Sequence, residues 1–180
     1  MMKSLLTISL AFFATTSQAQ ASEQRIGFTA GSTSGVGLSY SRQNSLGTGW
    51  QASLLPIYDA EGDAKVFVGG TVFRTLNATS WGRAYMSFGL ALFYNRQQNI
   101  EVRSDCNDEG YCVDTEIDHG TEEMLLLSFG PSVGLERRWQ QFALAFDLPL
   151  AVQFGADLVN NGGGFIGVHP IPNVSLMYFW

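Results

Sequence analysis

Charge, cysteine and histidine are all scarce in this chain. Of 180 residues only 14% are charged, where soluble domains average roughly 25%. Ten basic residues stand against sixteen acidic ones, a net of −6, so the basic footprint that nucleic-acid binding needs is missing. There are two cysteines and two histidines, and with no histidine pair near the cysteines they make a poor zinc site. After Ala21 no eighteen apolar residues run together, which excludes a helical membrane span. What is present is apolar: 46% of residues are hydrophobic and thirteen are Phe, which excludes disorder. The length suits one domain and is short for two.

The first twenty-one residues carry an address. Met1–Lys3 is a short basic start, Leu5–Ala14 is a ten-residue apolar stretch, and Ala19-Gln20-Ala21 closes a small-residue region. That is the pattern of a secretory signal peptide, cleaved after Ala21 or after Ala19, and ten apolar residues are too few to cross a bilayer. We therefore expect residues 1–21 to be a leader and residues 22–180 to form one domain outside the cytoplasm. Export also fits the cysteines. Cys106 and Cys112 lie six apart in a polar segment, and an oxidising compartment lets them form a disulfide.

Beyond the leader the pattern has period two. In Phe142–Phe154 the large residues Phe142, Leu144, Phe146, Leu148 and Leu150 alternate with Ala143, Ala145, Asp147, Pro149 and Ala151. The same alternation marks Gly82–Tyr94, Met124–Glu136 and the chain end. Eight strands are predicted: Gln24–Gly31, Gly35–Gln43, Thr48–Asp59, Ala64–Leu76, Trp81–Asn95, Glu123–Glu136, Gln141–Gly155 and Gly164–Trp180. Many exceed the usual five or six residues and reach the 9–11 that cross a bilayer at a tilt. One face is large and apolar while the other is Gly, Ala, Ser and occasional charge. We read the large face as lipid-facing and the small one as lining a narrow lumen.

Short connectors fall at Asn44–Gly47, Asn77–Ser80 and Arg137–Gln140, and the longer ones lie between them, the longest at about 96–122. An even strand count with short turns at one end predicts an all-β, eight-stranded antiparallel up-and-down transmembrane barrel, whose interior side chains fill. Trp50, Trp81, Trp139 and Trp180 all fall at the short-turn end, with Tyr58 and Tyr94 near the other. Such rings form the girdles at the two faces of a membrane.

The ending Val174-Ser-Leu-Met-Tyr-Phe-Trp180 resembles the terminal strand of bacterial outer-membrane β-barrels, with apolar residues at alternate positions before a final aromatic. The size resembles the OmpA/OmpX-type class. The resemblance implies insertion into a Gram-negative outer membrane, recognition of this strand by the barrel-assembly machinery, outer-membrane lipid as surroundings, and a monomer. It implies no activity, because a fold does not specify a function.

Charge is concentrated in one place. Asn95–Glu123 holds nine acidic residues against Arg96 and Arg103, a net of −7, which equals the net charge of residues 22–180. The loop offers a surface for cations or a basic protein partner, or simply keeps itself solvated. Within it Asp105, Asn107, Glu109 and Glu116 occupy oxygen-ligand positions of a twelve-residue calcium loop with Gly110 at its turn, but Cys106 and Cys112 interrupt the pattern and no helices flank it. No other cofactor is expected.

In the lumen Arg83, Glu136 and Asp147 fall on the small face, and Arg83 is expected to pair with Glu136 because a lone buried charge costs several kcal/mol. Catalysis finds little support. Ser104, Asp118 and His119 can be drawn as a triad without spacing to support it, and His169-Pro-Ile-Pro-Asn lacks the His-x-Ser-Asn pattern of lipid A 3-O-deacylases, having Ile171 where the serine would stand. The expectation is a structural or surface-interaction protein rather than an enzyme, with a narrow pore or a lipid A-modifying enzyme as the alternatives.

Overall fold

The computed structural model describes residues 22–58, 63–106, 112–159 and 164–180, without the side chains of residues 99–119. The expected leader lies outside the described residues. Every described element is a strand: β1 Glu23–Gly31, β2 Gly35–Gln43, β3 Thr48–Tyr58, β4 Ala64–Thr79, β5 Gly82–Cys106, β6 Cys112–Trp139, β7 Phe142–Pro149, β8 Ala151–Asp157, β9 Phe165–His169 and β10 Asn173–Phe179.

These ten segments make eight staves. β7 and β8 are one stave: Ser132 faces Pro149 below the break and Phe129 faces Val152 above it, so the register carries through unchanged. The break falls where Pro131 has no N–H to donate, although its carbonyl accepts from Leu150 N–H at 2.9 Å. β9 and β10 are likewise one stave, interrupted at Pro170 and Pro172. All pairings are antiparallel, each stave joins the next, and β10 returns to β1 through Arg25↔Phe179 to Ala30↔Val174. The result is a closed eight-stranded barrel.

The alternation decides which side is inside. Phe142, Leu144, Phe146 and Leu148 are 42–54% exposed on the outer surface, while Ala143, Ala145 and Asp147 between them are buried. Most of the buried set is polar, led by Arg25 at 2% exposure together with Thr29, Ser39, Ser53, Ser132 and Glu136. A water-soluble barrel is built the other way round. Trp50, Trp81, Trp139 and Trp180 are all exposed at the end carrying the termini and short turns, here called the turn end. Arg137 lies over Trp81 at 4.8 Å, and Tyr40 packs against Trp50 at 5.4 Å. Tyr58 is exposed at the opposite, hairpin end of β3.

One expectation is corrected. The segment about 96–122, expected as a long loop, is strand over its described residues, since β5 and β6 continue into it as a ladder reaching Cys106↔Cys112. A bulge at Gln98–Ile100 and a left-handed Gly120 (φ 94°) mark where it leaves the barrel. Ten residues of extension at about 3.3 Å each carry this hairpin about 30 Å past its neighbours. Isolated acidic residues read as loop, but Ile100, Val102 and Val113 supply β-branched residues for a ladder.

Candidate functional site

The barrel interior falls into three layers, each set by the small face of the staves. At the turn end lies a charged network centred on Glu136, 4% exposed. Arg25 Nη1 and Arg83 Nη2 donate to Glu136 Oε2 at 2.6 and 2.7 Å, and Arg138 Nε donates to Oε1 at 2.7 Å. Arg138 Nη1 reaches Glu23 Oε2 at 3.1 Å, and Arg25 also pairs with Glu23. Gln43 accepts from Arg25 at 2.7 Å and from Arg83, and donates to Thr75 Oγ1 at 3.2 Å. Phe179 covers Arg25, and Phe73 and Tyr85 cover Arg83, each 4.7–5.0 Å from ring centre to guanidinium, a cation–π arrangement.

The three sequence-selected lumen residues therefore all lie inside, and Arg83 meets Glu136. Asp147 sits one step further in. Its Oδ1 is buried without a hydrogen bond, and with the Tyr85 ring it occupies the space over Gly134, where a Cβ would come within 2.0 Å of Asp147 Oδ1 and 2.5 Å of Tyr85 Cζ. A cavity of about 20 Å³ joins Asp147 to Arg83 and Glu136, large enough for one water among polar partners. Three arginines against Glu23, Glu136 and Asp147 leave the layer neutral. Arg25, Arg138, Glu23 and Gln43 were missed by sequence reasoning. The signal for Arg25 was present in Arg25, Gly27 and Thr29 alternating with Ile26 and Phe28.

The middle layer is a plug. The β1–β2 turn, Ser32–Ser34, folds into the lumen, with Thr33 and Ser34 at 1% and 4% exposure. It reaches the opposite wall: a Cβ on Gly89 of β5 would lie 2.4 Å from the Thr33 carbonyl oxygen, and one on Gly69 of β4 would lie 2.1 Å from that of Ser34. Only glycine permits this approach at both sites. Asn173 latches the tip, donating to Thr33 Oγ1 at 2.9 Å and accepting from Thr33 N–H at 3.4 Å. Ser53 Oγ donates to the Ser34 carbonyl at 2.5 Å, and Ser32 Oγ to that of Ile171 at 3.0 Å.

Above the plug, at the hairpin end, is an apolar cup of about 370 Å³. Phe67, Phe93, Ala91 and Leu126 form much of its far wall, with Ser128 and Gln153 as polar members, and the plug is its floor. Phe67 and Phe93 stack at 4.4 Å.

The remaining expected sites are placed as follows. Asn107 and Glu109, and the side chains of Ser104, Asp105, Cys106, Cys112, Glu116, Asp118 and His119, lie outside the described residues. The calcium pattern, the disulfide and the drawn triad therefore stand as expectations only. His169 is exposed at the end of β9. Among the described residues no cluster of three or more His, Cys, Asp or Glu could hold a metal ion. No protein family, curated protein or solved structure matches this chain.

Proposed function

We propose that this chain is an integral outer-membrane β-barrel that serves as a closed anchor for a surface-exposed acidic hairpin. The observation that carries the reading is the inverted barrel, apolar outside and polar within, crowned by a ladder holding most of the acidic excess. In this reading the apolar staves meet outer-membrane lipid, and the barrel-assembly machinery engages the terminal strand Val174–Trp180. The hairpin meets a cationic or basic protein partner. Cys106 and Cys112 are directly opposed in the ladder, and opposed strand residues, with Cα atoms about 4.5–5.5 Å apart, fall within disulfide range, which supports a clip at the hairpin tip. The narrow-pore alternative is the weaker, because Ser32–Ser34 lies across the lumen.

The test has two arms on the mature protein. In planar bilayers we expect no conductance steps, and regular single-channel openings would overturn the closed-anchor reading. In intact cells, added protease should cut within residues 97–121 while the barrel survives. A hairpin protected in intact cells but cut in lysed ones would place it on the wrong side of the membrane for any surface role.

A further inference from the structure

We propose that the cup above the plug takes one acyl chain of a bilayer lipid, which enters sideways through a gap in the barrel wall. The inference rests on the membrane reading above and goes beyond it. The gap follows from the plug. Because the β1–β2 turn folds inward, β1 pairs with the last stave only as far as Ala30↔Val174, and β2 pairs with β3 only as far as Leu38↔Leu54. Above that level, among the described residues, β3 keeps β4 on one side but its β2-facing edge at Pro56–Tyr58 has no ladder partner, and β9 pairs only with β8. Eight staves close the turn end, but at the hairpin end, among the described residues, no strand stands between β3 and β9.

The rim of this gap suits lipid. Ala30, Val36, Ile171 and Pro172 line the cup, and Ala30, Ile171 and Pro172 are also exposed. An open strand edge in hydrocarbon is costly because unpaired backbone groups find no water. Here Pro170 and Pro172 have no N–H to leave unpaired, and the Ile171 carbonyl is capped by Ser32. Inside, the cup falls within the range of small-ligand sites, about 300–1,000 Å³. Its lining is mostly apolar, with Ser32, Ser128 and Gln153 as the polar exceptions, which suits an apolar guest. A bilayer lipid is the apolar guest present at high concentration against a gap that opens through the outer, lipid-facing surface.

The experiment incorporates the mature protein into vesicles containing phosphatidylcholine with a photoreactive diazirine at the end of one acyl chain. After irradiation, labelled residues are mapped by mass spectrometry. We expect labels on the outward residues Phe88 and Leu90 and also on the inward Phe67, Phe93 and Leu126. Ala91→Trp, which puts an indole into the cup beside Phe67 and Phe93, should sharply reduce the inward labels while leaving the outward ones unchanged. Labels on the outward residues alone in the unmodified protein would overturn the acyl-chain site and leave the membrane reading standing. Labels on neither set would overturn the membrane reading and the site with it. Inward labels that persist in a folded Ala91→Trp protein would overturn the assignment of the cup as their source.

Discussion

Replacing Glu136 by Gln removes one negative charge from a layer that balances three against three. Glu136 is 4% exposed and takes three guanidinium donors within 2.7 Å. Two of those donors, Arg25 and Arg83, have side chains only 2% and 4% exposed. Neither can turn to water when its partner is neutralised. Breaking a buried ion pair from one side costs about 3–5 kcal/mol, because the remaining charge stays buried. Glu136→Gln should therefore cost about that much. The exposed pair Arg96–Glu123, at 3.9 Å and with side chains 44% and 31% exposed, supplies the contrast: Glu123→Gln should cost about 0–1 kcal/mol. Equilibrium urea unfolding in phospholipid vesicles reads both, since Trp50, Trp81, Trp139 and Trp180 are exposed at the turn end and report loss of the lipid surroundings. Adding Arg83→Gln to Glu136→Gln restores the balance, so the double variant should lose less than the two singles together, with coupling of about 0.5–3 kcal/mol. A Glu136→Gln cost no larger than that of Glu123→Gln, or additive single effects, would refute the account of this layer as a mutually neutralising network.

Three further outcomes are expected. Val133, 60% exposed, lies six residues from Trp139, about 15 Å along the axis of a tilted stave. Val133→Arg should destabilise the lipid-embedded barrel by about 2–4 kcal/mol, whereas a cost within about 0.5 kcal/mol, as at an ordinary water-facing position, would contradict a lipid-facing outer surface. Gly89→Val places side-chain carbon against the Thr33 carbonyl and should cost about 1–3 kcal/mol by overpacking while admitting small ions to vesicles that the unmodified protein leaves tight. An ion-tight Gly89→Val protein of unchanged stability would show that the plug does not depend on that approach. Thiol labelling under denaturing conditions should find Cys106 and Cys112 blocked until reductant is added; free labelling of protein isolated from cells without reductant would remove the disulfide clip.

Much of the barrel was legible because period two is a strong signal when both faces are distinctive. Phe142, Leu144 and Phe146 against Ala143, Ala145 and Asp147 leave no ambiguity of register, since a slip of one residue would exchange the faces. The pairing of Arg83 with Glu136 was legible for the same reason, both standing on the small face of adjacent staves. The plug was not. Ser32–Ser34 reads as an ordinary turn, and its inward fold depends on Gly69 and Gly89, distant in sequence and unremarkable as glycines within strands. The cup and the wall gap follow from the plug, so they were equally hidden. The hairpin was mistaken for loop because charge masked the alternation that would have marked it as strand.

The pairing of β1 with β10 has a consequence for how the chain reaches this state. Arg25 and Phe179 face each other across the seam, so the barrel cannot close until the last residues have been delivered. Contacts of such long sequence separation make folding slow, because loop-closure entropy must be met before they form. Arg25 meets Glu136 across 111 positions, and an arc of staves not yet closed would leave that guanidinium with its local partners Glu23 and Gln43 but without its buried carboxylate. Closure of the seam and completion of the charged network are then one event, and a chain cut short of β10 should stall before it rather than insert as a smaller barrel.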